Sequence, residues 1–110
     1  MELKIEDNSG ICVVSISGNL DTNTSPDAES KINEMINDGK EKMVVDLSSA
    51  GFVSSAGLRV FLSTAKQMTA KGAAVKFCGA NEVVQEILDI SGFSGILDVK
   101  VSLEEALSDF

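Results

Sequence analysis

The chain reads as a single α/β domain of 110 residues, residues 1–110, built on a mixed, mostly parallel sheet. Three observations predict that class. Short β-branched runs alternate with helical patterns from residue 11 to the end. The run Met43 to Leu47 is continuously apolar, as in strands buried on both faces. An extended segment, a turn-rich tetrapeptide and a second extended segment open the chain as a hairpin would. Four to five strands with about four helices, and an antiparallel edge at the N-terminus, are expected.

The first strand is short, Leu3 to Glu6, and Asp7-Asn8-Ser9-Gly10 supplies the turn. Ile11 to Ser17 is the stronger second strand, and Gly18-Asn19-Leu20-Asp21 breaks its pattern. Ser25-Pro26 marks a helix start, with Ser able to cap and Pro shaped for the first helical position. Ala28, Ile32, Met35 and Ile36 follow at helical spacing until Gly39. After the strand Met43 to Leu47, Ser48 to Ser55 reads as a loop of small residues. A second helix is expected from about Ser55 to Lys71, with Leu58, Phe61, Leu62, Ala65 and Met68 as its core stripe and Gly72 as its stop.

Ala74 to Cys78 is another strand, and Asn81 is placed to cap a third helix bearing Val83, Val84, Ile87 and Leu88, which Gly92 closes. A last short strand lies within Ile96 to Val101. Ser102 and Glu105 form a capping box for a final helix with Leu103, Ala106, Leu107 and Phe110 on one face. The Met, Leu and Phe positions in these patterns are assigned to the core.

Composition narrows the function. The chain has no histidine, which removes Ser-His-Asp and Cys-His catalysis together with histidine metal ligands. Cys12 and Cys78 lie far apart without a second ligand beside either, so they read as small core residues and no metal site is expected. Seventeen acidic residues against nine basic ones give a net charge of −8, which disfavours nucleic acid and anionic membrane surfaces as partners. Lys66, Lys71 and Lys76 form no basic patch. No apolar run approaches the roughly 20 residues of a membrane span. Met1 to Glu6 lacks the plan of a signal peptide, so a cytoplasmic location is expected. With each apolar stripe assigned to the core, a monomer is expected.

The segment Val44 to Arg59 concentrates what chemistry there is. It runs from a buried strand through a tight loop to a helix N-terminus, at the strand ends where parallel sheets meet ligands and partners. Ser54-Ser55-Ala56-Gly57 admits three readings. One is a helix N-cap, which carries most weight on spacing alone. Another is a phosphate-binding loop, but no Walker or dinucleotide pattern and no adjacent lysine supports it. The third is a serine open to modification. Asp21 is most simply a turn residue, Asp46 a brace for the loop after its strand, and Arg59 a surface charge or an interface anchor.

The same stretch resembles the signature of STAS-domain anti-sigma factor antagonists. In that family an aspartate-leucine-serine strand end precedes aspartate-serine-serine/alanine-glycine-leucine. Asp46-Leu47-Ser48 and Ser55-Ala56-Gly57-Leu58 match the two parts. Gly18-Asn19-Leu20-Asp21 resembles the family's Gly-x-(Leu/Ile)-Asp, and Ile90-Ser91-Gly92-Phe93 its usual end to the third helix. The resemblance implies a non-catalytic switch without a cofactor. Ser55 corresponds to the serine phosphorylated by an anti-sigma factor that is also a serine kinase, and a serine phosphatase reverses the step. It implies a partner surface of Asp21, Thr22, Asn23, Ser54, Ser55, Ala56, Gly57 and Arg59. Ser54 departs from the family's aspartate, which makes it a second candidate for phosphorylation. A STAS component of a lipid-transport ATPase or a stressosome-like assembly is the alternative within the fold. A small nucleotide- or phosphate-binding enzyme is the alternative outside it.

Overall fold

The computed structural model describes residues 1–110. Five strands, β1 (Glu2–Asn8), β2 (Ile11–Leu20), β3 (Lys42–Val53), β4 (Ala74–Cys78) and β5 (Val99–Lys100), form one sheet in sequential order. β1 is antiparallel to β2, and the other pairs are parallel. The helices are α1 (Ser25–Asn37), α2 (Ser55–Ala70), α3 (Glu82–Ile90) and α4 (Leu103–Ser108), with a 3-10 turn at Phe93–Gly95. This is the architecture the strand–helix alternation predicts.

Because the sheet grows in one direction, crossovers of a single hand lay α1, α2 and α3 on the same face. Cys12, Val14 and Ile16 of β2, Met43, Val45 and Leu47 of β3 and Phe77 of β4 alternate onto that face. There they join Ile32, Ile36, Phe61, Met68, Val84 and Leu88 in one buried core. The rings of Phe61 and Phe77 pack at 5.1 Å between centroids.

The opposite face is covered differently. Val44 and Cys78 meet Ala106 of α4, flanked by Ile11, Leu103 and Leu107. Cys12 and Cys78 therefore sit in separate clusters, both as free thiols. Burial pushes the Cys78 thiol up to about 12, with the Asp46 charge adding, so it is no nucleophile at neutral pH. Burial also raises Cys12, with Lys40 opposing.

Polar contacts pin α4 to this face. Lys76, only 8 % exposed, places Nζ 2.7 Å from Asp98 Oδ2 and 2.8 Å from Asp109 Oδ2. Lys100 bridges the same two carboxylates at 3.3 and 3.2 Å. The Phe110 ring lies 5.1 Å from the Lys76 ammonium. The spacing of Lys66, Lys71 and Lys76 along the chain gives no sign of this role for Lys76. It is the centre of an ionic clamp whose carboxylates come from 22 and 33 residues away along the chain.

Several expectations are corrected. β2 does not break at Gly18 but runs to Leu20, and Ser48 to Val53 is strand rather than loop. The ladder between β2 and β3 continues through Ser17↔Ser49, Gly18↔Ala50 and Leu20↔Val53, interrupted by two register shifts. The shifts accommodate extra residues in β3, and such bulges mix small residues into a strand until it looks like a loop. Ser25 is not a cap: it is the first residue of α1, preceded by Thr24, and its buried hydroxyl has no hydrogen-bond partner. The buried stripe of α2 is Gly57, Val60, Phe61, Thr64 and Met68, so Leu62 is only half-buried. Thr64 belongs there because its hydroxyl donates to the Val60 carbonyl at 2.8 Å. Val83 and Phe110, placed on helix core stripes by their spacing, are exposed, and Phe52, Ile90, Ile96 and Val101 are further exposed apolar side chains.

The clamp gives stability a defined pH window. Asp98 and Asp109 are each held below the ordinary carboxylate range, first by hydrogen bonding to Lys76. Their contribution is thus present above the unfolded carboxylate value, about 3.9, and lost as pH falls through the depressed folded values. Lys76 is raised, first through Asp109, so its share is lost only as pH climbs past the usual lysine range. Urea midpoints of wild type and Asp109→Asn should differ at pH 7 and converge on acidification below pH 4. A constant difference across that range would mean the clamp does not stabilise α4. A second expectation concerns Gly57, where a Cβ would stand 2.8 Å from Val53 Cγ1 and 3.0 Å from both Leu20 Cδ2 and the Leu20 carbonyl oxygen. Overpacking of this kind costs about 1–3 kcal/mol. Gly57→Ala should therefore lower the urea midpoint despite alanine's better helix propensity.

Candidate functional site

The site forms where β2 and β3 end together. Leu20 pairs with Val53, and the next residue on the β3 side, Ser54, donates its N–H to the Leu20 carbonyl at 2.8 Å. That bond brings the start of α2 beside the loop leading into α1. Gly57 lies beneath, where lack of a Cβ lets α2 rest against Leu20 and Val53. Gly57 is buried, so it shapes the surface from below.

The loop at 21–24 is ordered by its own side chains. Asp21 Oδ1 accepts the N–H groups of Asn23 at 2.9 Å and Thr24 at 3.1 Å. Thr24 Oγ1 accepts the Asp21 N–H at 2.9 Å, and its own proton faces the Asn19 carbonyl at 2.9 Å, with Asp21 Oδ1 at 3.2 Å. These bonds hold the Asp21 carboxyl below its ordinary range, the Thr24 N–H contributing most and partial burial opposing. Asp21 is therefore the turn residue that its neighbours suggest. Its Oδ2 makes no hydrogen bond within the chain.

The two serines at the start of α2 have different situations. Ser54 is half-buried and is the N-cap: its Oγ accepts the Gly57 N–H at 3.4 Å, and its carbonyl accepts the Leu58 N–H at 2.9 Å. Ser55 is exposed, and no hydrogen bond engages its hydroxyl. The first turn of α2 carries no acidic residue, which leaves the positive end of its dipole without a counter-charge.

Thr22, Ser25, Pro26 and Glu29 from the α1 side face Ala56, Arg59 and Val60 of α2 across a shallow groove of about 410 Å³. The structure thus unites Thr22, Ala56 and Arg59; Ser55, the residue before Ala56, is exposed but is not among the groove's lining residues. Asn23 is exposed in the loop, engaged only through its N–H. Four groove residues were not singled out from sequence: Ser25, Pro26, Glu29 and Val60. Only the start signal at Ser25-Pro26 pointed at any of them, and it was read as local structure. Phe52, 45 % exposed and paired with Asn19 in the ladder, is a further unforeseen surface residue next to the site. An aromatic within a run of small polar residues was the signal available.

Asp46 is a brace, as expected, its Oδ1 accepting the Ser48 N–H at 3.0 Å within the bulged part of β3. Asn81 caps α3 by accepting the Val84 N–H and ties the helix to β3 by donating to the Ala50 carbonyl, both at 2.9 Å. A slightly larger depression of about 470 Å³ lies near Ala80, Gln85 and Lys100, away from every residue chosen above. Lys100 there is already committed to the clamp. No cluster of three potential metal ligands exists, and no helix is long and apolar enough to cross a membrane. The site offers a loop, a helix start, one free hydroxyl and one guanidinium: groups suited to contact rather than to acid–base turnover.

Comparison with known proteins agrees with this geometry. The family model described as the STAS domain matches residues 2–106. The anti-sigma F factor antagonist of Paenibacillus polymyxa is 30 % identical over 110 residues, covering 99 % of this chain and 94 % of that protein. An anti-sigma factor antagonist from Mycobacterium paratuberculosis superimposes with a TM-score of 0.91 at 26 % identity, over 97 % of this chain and 91 % of that one. The Bacillus cell fate determinant SpoIIAA in its phosphorylated form shares the fold with a TM-score of 0.74, at 17 % identity and 97 % of each chain. Fold, motif order and these matches together place the chain in the STAS-domain family, among the anti-sigma factor antagonists, which are binding regulators rather than enzymes.

Proposed function

We propose that this chain is an anti-sigma factor antagonist switched by phosphorylation of Ser55. Unmodified, it captures an anti-sigma factor that is also a serine kinase, and so releases the sigma factor to RNA polymerase. The kinase brings the ATP. The Ser55 oxygen bonds to the terminal phosphorus, the bond from that phosphorus to ADP breaks, and the hydroxyl proton leaves to the kinase. A serine phosphatase hydrolyses the ester and restores capture. The reading takes the protein as a cytoplasmic monomer.

The single observation that carries this reading is the contrast between the adjacent serines. Ser54 is occupied as a cap, whereas Ser55 offers an exposed, unbonded hydroxyl one residue before the groove residue Ala56. Ser54 thereby drops from second candidate for modification to a structural residue in this proposal. The names of the relatives and the phosphorylated state of one structural neighbour support the assignment.

The physics of the switch is local. A phosphoryl group adds about −1.5 to −2 charge and three acceptor oxygens. At the first residue of α2 the free N–H groups and the helix dipole tolerate that charge, so the domain stays folded. The partner does not tolerate it. Docking must then bury a dianion at the middle of the contact, and disrupting a matched contact of that kind costs several kcal/mol. The net charge of −8 favours a partner with a basic face.

Affinity capture with wild type, Ser55→Asp and Ser55→Ala as baits tests the reading. Wild type and Ser55→Ala should retain a kinase of the anti-sigma type, while Ser55→Asp should lose it at unchanged melting temperature. Retention by Ser55→Asp, or capture of a transporter ATPase by all three, would overturn it. The serines themselves separate in a second measurement. Ser54→Ala should cost about 0.5–1 kcal/mol of stability yet still accept phosphate from the kinase. Ser55→Ala should change stability little and accept none.

A further inference from the structure

We propose that the chain holds its own phosphoserine, with Arg59 closing on the phosphoryl group of Ser55 one helical turn away. The inference rests on the reading of Ser55 as the modified residue and adds to it what the modified state does with Arg59.

Arg59 is the only arginine in the sequence. It is exposed, makes no ion pair, and lines the groove next to Ala56. Most of the lysines are already engaged: Lys4, Lys31, Lys40, Lys76 and Lys100 in ion pairs, and Lys71 in a bond to the Ile36 carbonyl at 3.1 Å. The free guanidinium thus stands four residues beyond the free hydroxyl on one face of α2. Side chains at that spacing are neighbours, and an anion placed N-terminal to its cation is the favourable order. A planar guanidinium also matches phosphate oxygens two at a time, which an ammonium does not.

Glu29 and Ser25 line the same groove as Arg59, and Asp21 lies in the loop before Thr22 at its edge. Glu29 of α1 lines the same groove but makes no ion pair with Arg59, so no carboxylate holds the guanidinium before modification. Asp21 is committed through Oδ1 to its own loop. Ser25, 3 % exposed and without a hydrogen-bond partner, lies in the groove wall as an unused donor. A phosphoryl group near −2 competes for the guanidinium more strongly than one carboxylate does. Modification then changes two features of the contact surface at once. It adds a dianion at Ser55 and draws Arg59 out of the groove that it lines.

The test uses the full chain with phosphoserine genetically encoded at position 55, in wild type, Arg59→Gln and Arg59→Lys. The second ionisation of the phosphate, followed by 31P chemical shift against pH at low salt, should occur lower in wild type than in Arg59→Gln by about 0.2–0.4 pH unit. Arg59→Lys should fall between them, and 1 M salt should shrink the gap. The dipole of α2 acts equally in all three proteins, so the difference isolates Arg59. Coincident curves would overturn the proposal. No partner or kinase enters this measurement. Failure of the functional reading would instead appear as phosphate accepted by Ser55→Ala from the kinase, so the two failures are distinguishable.

Discussion

The junction of Leu20, Val53 and Gly57 is the constraint on which the site depends. Beyond the last β3–β4 partner, Asp46↔Cys78, β2 and β3 make four further pairs, Ser17↔Ser49 to Leu20↔Val53, and so project a two-stranded ribbon past the rest of the sheet. At its tip the Ser54 N–H closes on the Leu20 carbonyl, and α2 starts at contact distance from both strands because residue 57 has no side chain. A wider spacing would separate the 21–24 loop from the start of α2. Thr22 and Arg59 would then not face one groove.

The two faces of the sheet divide the work of stability. One carries the large apolar core beneath α1, α2 and α3, where burial supplies the driving force. The other depends on a six-residue helix too short to bury much, reinforced by Lys76, Lys100, Asp98 and Asp109. Lys76 is nearly buried but doubly paired, which is the condition under which a buried ammonium stays charged at acceptable cost. The clamp and the candidate site involve different residues and different elements, so a charge added at Ser55 leaves the clamp's contacts untouched.

The readable part of this chain was what repeats locally. Apolar periodicity located all four helices, and β-branched runs located the strands, because burial on one face imposes those patterns directly. Asn81 and Ser102 were legible as caps since a cap is a contact over three residues. The misread parts depend on partners far away in sequence. Ser48 to Val53 carries no strand pattern of its own and is a strand because β2 lies beside it. Lys76 looked like a stray surface charge because its two aspartates arrive only on folding. The stripe of α2 was displaced because Thr64 satisfies its hydroxyl within the helix and Gly57 is buried for its smallness, neither of which an apolar pattern registers.

At the start of α2, residue spacing alone could not rank the two serines. Family resemblance chose Ser55 by alignment; geometry supplies an independent reason. A hydroxyl used as an N-cap accepts a backbone N–H, and esterifying that oxygen places a bulky group where the cap must sit. The proposed reading therefore leaves Ser54 to the fold as the cap of α2. The free hydroxyl one residue later carries no such duty. Replacement of the family's aspartate by Ser54 also leaves the first turn of α2 without a carboxylate, so a phosphoryl group on Ser55 meets an uncompensated helix end. On the proposed reading, a departure from the pattern at one position favours the charged state of its neighbour, and the helix end accommodates the added charge without straining the fold that presents it.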